Sequence, residues 1–110
     1  LSKQLNNTII ISGAEDFIIT GDRVSSVSNG SPLMAKVTGM GCTATAIVGA
    51  CLAVESDAHQ AGLAAMTIMG VAGDVAAAIS DGPGSFQMNF LDSLHKLSAE
   101  MIEEKAKTNA

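Results

Sequence analysis

Gly39-Met40-Gly41-Cys42, preceded by Lys36-Val37-Thr38 and followed by a long apolar run, is the segment of this chain best suited to chemistry. A Gly-x-Gly turn at a helix start leaves several backbone N–H groups unpaired and sterically accessible. They converge on one spot, where the helix dipole favours negative charge. Such a spot suits a phosphate, or the charge that develops on a phosphoryl group in transfer. Glycines before a helix also serve simply as a turn, so the pattern alone leaves both readings open. It is not a Walker motif, and Ala44 stands where a Gly-x-Gly-x-x-Gly dinucleotide fingerprint would need its third glycine.

The elements around this turn follow from periodicity and punctuation. Thr8 to Ser12 is a β-branched run ended by Gly13, the pattern of a strand buried on both faces. Asp16 to Thr20 is a second strand, and Gly21-Asp22 turns the chain into a third, Arg23 to Ser28. Asn29 to Pro32 reads as a loop, and Leu33 to Val37 as a further short extended piece. Cys42 to Val54 is apolar nearly all round, as expected of a buried helix. Asp57 is placed to cap a second helix from Ala58 to about Ile79, which Ser80-Asp81-Gly82-Pro83-Gly84 breaks. A third, amphipathic helix is expected from about Phe86 to Lys105, with Phe90, Leu91, Leu94, Leu97, Met101 and Ile102 at helical spacing and lysines at its end. Strands followed by three helices fit the trailing portion of an α/β sandwich.

Composition narrows the function classes. The 110 residues are 47% hydrophobic and 15% charged, with a mean hydropathy of +0.34, and Ala, Gly, Val and Ile supply much of the apolarity. That length permits one modest core, and so much apolar surface in so short a chain implies burial against something outside it. A net charge of -5 with six Lys+Arg lacks the basic footprint that nucleic acid or an anionic membrane requires. Cys42 and Cys51 have neither disulfide-framework nor zinc spacing, which fits a reducing, cytoplasmic setting. The apolar run from Met40 to Val54 is too short and too rich in Thr and Gly for a membrane span. The chain begins with Leu1 rather than Met, from which a missing upstream segment is expected.

Four stretches carry a resemblance to a known family: Val-Thr-Gly-x-Gly-Cys at 37–42, Val-Gly-Ala at 48–50, Asp-Gly-Pro-Gly-Ser-Phe at 81–86, and the upstream Ile-Ser-Gly-Ala-Glu-Asp at 11–16. In order and spacing, from about Thr8 to Leu97, they resemble hydroxyethylthiazole kinase, a thiamin-salvage enzyme of the ribokinase-like group. Cysteine at position 42 is the sharpest discriminator, since other ribokinase-like kinases carry Asp there as general base. The resemblance implies that residues 1–110 form a single partial domain, the C-terminal, nucleotide-side half of a ribokinase-like α/β/α sandwich. It implies that Gly39, Met40, Gly41 and Cys42 supply an anion hole for the γ-phosphoryl group, that Gly39 also approaches the thiazole alcohol, and that Cys42 occupies the catalytic base position. Ser12, where the family often has Thr, would contact ATP. A thiolate at Cys42 could accept a proton, while a neighbouring triphosphate would oppose its ionisation. The backbone donors are therefore expected to matter more than the thiol.

The remaining polar residues read as structural. Lys36 is expected on a solvated strand, Asp74 on the exposed stripe of its helix, His59 and His95 on helix surfaces, Cys51 in the core, and Met66, Met69, Met88 and Met101 in packing roles. No metal-ligand constellation is visible. By the resemblance, the acidic residues that handle Mg2+ and the segment that holds the thiazole lie upstream, and intact members are homotrimers with the thiazole site between subunits. Isolated, the chain is expected to be inactive, to expose a sheet edge and apolar helix faces, and to be marginally stable or prone to aggregate. Two alternatives remain open: another ribokinase-like activity, such as hydroxymethylpyrimidine kinase or a nicotinamide-nucleotide hydrate dehydratase, and a non-catalytic fragment that only binds nucleotide or assembles with other subunits.

Overall fold

The computed structural model describes residues 1–110. A one-turn helix α1 (Ser2–Leu5) leads into strands β1 (Thr8–Ile11), β2 (Asp16–Thr20) and β3 (Arg23–Val27). A 3-10 turn (Pro32–Lys36) is followed by helices α2 (Met40–Val54), α3 (Ala58–Ala78), α4 (Pro83–Lys96) and α5 (Ala99–Lys105), then by the two-residue strand β4 (Thr108–Asn109). The strands form an antiparallel sheet in the order β1-β2-β3-β4. Thr20 pairs with Arg23 across Gly21-Asp22, the two-residue hairpin that the sequence signals, with Gly21 at φ 58°. The α/β class is therefore as expected. β1 is only partly buried, however, because β2 is its sole neighbour and its other edge is open.

Helix α3 is the centre of the molecule. One side packs Met66 against Ile18 and Val27 of the sheet, with Ile10 and Leu63 beside them. Its other side joins Met69, Ala72 and Ala76 to Phe86 and Phe90 of α4, whose rings stack 5.8 Å apart. Small residues let these layers approach on both sides. By length and composition α3 could cross a membrane, yet 61% of its apolar window is buried inside the chain, as in a core helix.

Three expected elements differ, each for a local reason. Residues 33–37 are not extended: Ser31 Oγ accepts the Leu33 N–H, and Pro32 supplies a helical φ, so a 3-10 turn forms. The amphipathic stretch after Phe86 is two helices, because Ser98 is extended and accepts the Met101 N–H, capping a new helix that leans on α3. Helix α2 contains no buried residue, although no charged residue occurs between Met40 and Val54. It packs on α3 along one side through Met40, Ala44 and Ile47, and leaves Leu52 and Val54 exposed. Cys51 is accordingly half-buried rather than core, and Met88 of α4 is exposed.

Between β3 and α2 the chain lies flush on α3. A Cβ on Gly70 would stand 2.6 Å from that of Asn29, and one on Gly73 would stand 2.5 Å from Met34 Sδ. Asp74, one residue on, is therefore not on an exposed stripe. Its Oδ2 accepts from Asn29 Nδ2 at 2.7 Å and its Oδ1 from the Gly30 N–H at 2.9 Å. The buried Asn29 side chain also donates to the Lys105 carbonyl and accepts from the Lys107 N–H, so one amide ties the loop to α3 and to the chain beyond α5. Removing the carboxylate would leave one donor of the buried Asn29 amide unpaired and release the Gly30 N–H to water. Asp74→Ala is expected to lower the unfolding free energy by about 1–3 kcal/mol in urea titration. Asp74→Asn, whose carbonyl can still accept from Gly30, should cost less.

His59, expected on the surface, is 1% exposed. It stands on the inward face of α3 with Gly62, Met66 and Met69, two residues after the Asp57 cap, which accepts its N–H at 3.0 Å. Its ring nitrogens contact Thr20 Oγ1 and Ser25 Oγ, each at 2.8 Å. Burial, helped by the nearby Arg23 charge and opposed by Asp57, holds its imidazole below the ordinary value. An unfolded chain therefore takes up this proton at higher pH than the folded one. The contribution is complete above about pH 6.5 and is lost as pH falls through the folded value. Asp57, held below the ordinary carboxylate range by its hydrogen bond from Arg23, acts only at lower pH. Urea midpoints should fall between pH 7.5 and pH 5.5 in the wild type, and fall less in His59→Gln.

Candidate active site

A cavity of about 580 Å³ opens where the 13–16 turn, the 29–35 segment, the start of α2 and the middle of α3 meet. Its apolar lining comes from Pro32, Met34, Ala44, Met66 and Met69; its polar groups come from Ser12, Asp16, Asn29 and Ser31. No cationic side chain lines it. Met40 and Gly41 of the Gly-x-Gly turn, and Ser12, which the resemblance brought forward, all line this one cavity. Ser12 follows directly on β1, and Met40 and Gly41 begin α2.

Gly39 is the N-cap of α2 at φ 90°, ψ 5°, left-handed backbone that a β-branched residue adopts only under strain. Thr43 makes the first helical bond, to the Gly39 carbonyl at 2.9 Å. The N–H groups of Met40, Gly41 and Cys42 precede it in the first turn, and no side chain caps this end. Helix geometry thus leaves three donors at the start of α2, two of them on residues that line the cavity, in the field of the positive helix end. An anion is the ligand that complements them.

Cys42 is exposed and does not line the cavity, and neither does Gly39. Both belong to the turn that carries Met40 and Gly41, and both are exposed. Lys36 ends the 3-10 turn, exposed, away from the cavity lining. The Gly82-Pro83-Gly84-Ser85 stretch only ends one helix and starts the next: Pro83 is the first residue of α4, and Ser85 Oγ accepts the Asp81 N–H.

Sequence reasoning passed over Asp16 and Asn29, both of which line the cavity while being nearly buried. Asp16 is 7% exposed; its Oδ1 accepts the Gly13 N–H at 3.0 Å, and burial raises its carboxyl above the ordinary value. The available signal was position: Asp16 opens a strand just after the turn that carries Ser12. No group of three or more His, Cys, Asp or Glu is arranged to hold a metal ion.

Residues 1–100 match the hydroxyethylthiazole kinase family. The chain is 49% identical over 105 residues to a hydroxyethylthiazole kinase of Leptospira biflexa serovar Patoc, and 48% identical to one of Syntrophus aciditrophicus. Each match takes in 96% of this chain and 39% of the relative's length. A solved hydroxyethylthiazole kinase structure from Pyrococcus horikoshii OT3 superposes with a TM-score of 0.94 at 32% identity, over 98% of this chain and 42% of that one. The chain thus spans about two fifths of these proteins, and by sequence profile and fold alike it belongs to the hydroxyethylthiazole kinase family.

Proposed function

We propose that this chain supplies the nucleotide-side half of an ATP-dependent kinase that phosphorylates the hydroxyl of 4-methyl-5-(2-hydroxyethyl)thiazole in thiamin salvage. The observation that carries the proposal is the uncapped first turn of α2, with donors on Met40, Gly41 and Cys42 beside a cavity that also takes in Ser12. Phosphoryl transfer asks the protein mainly for positioning and charge stabilisation, and these donors offer the second without reorganisation. In this reading Gly39, Met40, Gly41 and Cys42 form the anion hole for the γ-phosphoryl group. Gly39 approaches the acceptor alcohol, Ser12 contacts ATP, and the exposed Cys42 thiol assists removal of the alcohol proton.

Mg2+, when bound, would neutralise charge on the phosphates, and we assign its ligands to the part of the protein outside this chain. One partial domain, completed by that part, in a cytoplasmic homotrimer, is the whole arrangement we propose. It would also cover the exposed apolar side of α2. A second reading, a fragment that binds nucleotide or assembles without catalysis, is favoured by the same missing metal ligands and by the two-fifths coverage.

Transfer of labelled phosphate from ATP to the thiazole alcohol by the intact protein separates the two. ATP binding without transfer is the outcome of the second reading. Under the first, Cys42→Ala should keep measurable turnover, about ten- to a hundredfold reduced. Gly39→Val, which forces a β-branched residue to φ 90° in otherwise open space, should cost more. Complete loss of turnover in Cys42→Ala with binding intact would reverse that ranking.

A further inference from the structure

Asp16 is a carboxylate that the fold buries without an ionic partner. It is 93% removed from solvent, lines the 580 Å³ cavity, and makes one side-chain hydrogen bond, from the Gly13 N–H to Oδ1. Its Oδ2 makes no hydrogen bond within the chain, yet it is not among fully enclosed polar atoms lacking a partner. It therefore keeps some accessible surface, on a residue that lines the cavity. Burying a charge with one acceptor unused is costly unless a donor arrives to use it.

The surroundings say what kind of donor. Met34, Met66 and Met69 line the same cavity with Pro32 and Ala44, and sulfur packs well against aromatic rings. A ribose hydroxyl could also donate to Asp16, but the methionine, proline and alanine lining suits a flat ring better than a sugar, and the lack of a lining cation disfavours phosphate inside the cavity. A flat heteroaromatic ring bearing an N–H donor satisfies both features. Met40 and Gly41 lie on the same wall, so the phosphate end of such a ligand can leave toward the α2 turn.

We infer that the methionine-lined cavity holds the base of the nucleotide, and that Asp16 is a specificity-determining residue whose free Oδ2 accepts a hydrogen bond from the base's exocyclic amino group. The inference rests on the nucleotide reading above but assigns a residue and a chemical preference that reading lacks. Asp16→Asn is an informative change. Its carbonyl oxygen keeps the Gly13 bond, while its NH2 turns the free position from acceptor into donor.

The test uses adenosine and purine riboside, which differ by the 6-amino group, titrated into the intact protein with labelled methionine methyls. Adenosine should shift the Met34, Met66 and Met69 methyl signals and bind at least about tenfold more tightly than purine riboside. Asp16→Asn should abolish that preference. The comparison of the two ligands in the wild type stands even if the variant does not fold. Equal binding of the two ligands, no response at those methyls, or an unchanged preference in a folded Asp16→Asn would overturn the inference and leave Asp16 as the cap of the 13–16 turn. The kinase reading fails separately: adenosine discrimination with no phosphoryl transfer by the intact protein would sink that reading and keep this one.

Discussion

With Gly70 and Gly73 of α3, only hydrogen occupies the space where a side chain would collide with Asn29 and Met34, and Asp74 beside them accepts from Asn29 and from the Gly30 backbone. This close approach fixes the segment between β3 and α2. That segment forms a wall of the cavity, and its far end is the Gly39 turn that aims the first N–H groups of α2. Packing and polar satisfaction work together here. Gly70 permits an approach to Asn29 that any side chain would forbid, Gly73 leaves room that the Met34 side chain fills, and the carboxylate pairs the buried Asn29 amide.

From that constraint the rest of the site follows in order. α3 is the one element that touches the sheet, α2 and α4 alike, so it registers Ser12 and Asp16 on the sheet side against Met40 and Gly41 on the helix side. His59 anchors its N-terminal end to β2 and β3, and Asn29 links Asp74, near its C-terminal end, to the end of α5 and to Lys107 beyond it. The resulting cavity is apolar inside and donor-rich at one margin, which is the division of labour expected where a base and a phosphate are held by different means.

Much of this was legible in the residues, and the parts that were not share a cause. The hairpin at Gly21-Asp22, the Asp57 cap, the break at Ser80–Gly84 and the glycine turn before α2 are local signals, and each appears where its chemistry placed it. The family was carried by short motifs in fixed order, and profile and fold agree with it. What escaped were long-range pairings of polar residues. Asp74 and His59 sit on a helix whose apolar stripe is so broad that a polar position reads as outward, whereas each faces a partner more than thirty positions earlier in the chain. Asp16 read as a strand residue because nothing nearby in sequence shows that its second oxygen lacks a partner. The burial of α2 was over-read for the opposite reason. An all-round apolar helix implies cover on every side, and these 110 residues supply it on one side only.

Native-state amide hydrogen exchange at Gly30 tests most directly whether the glycine-and-carboxylate seat on α3 holds the cavity wall. The Gly30 N–H belongs to an exposed loop residue, so only its bond to Asp74 can protect it. The account predicts slow exchange, with protection comparable to that of amides in the middle of α3. Exchange at the rate of an open loop, with α3 itself protected, would mean that the wall is not held there and would contradict the structural basis of the proposed site.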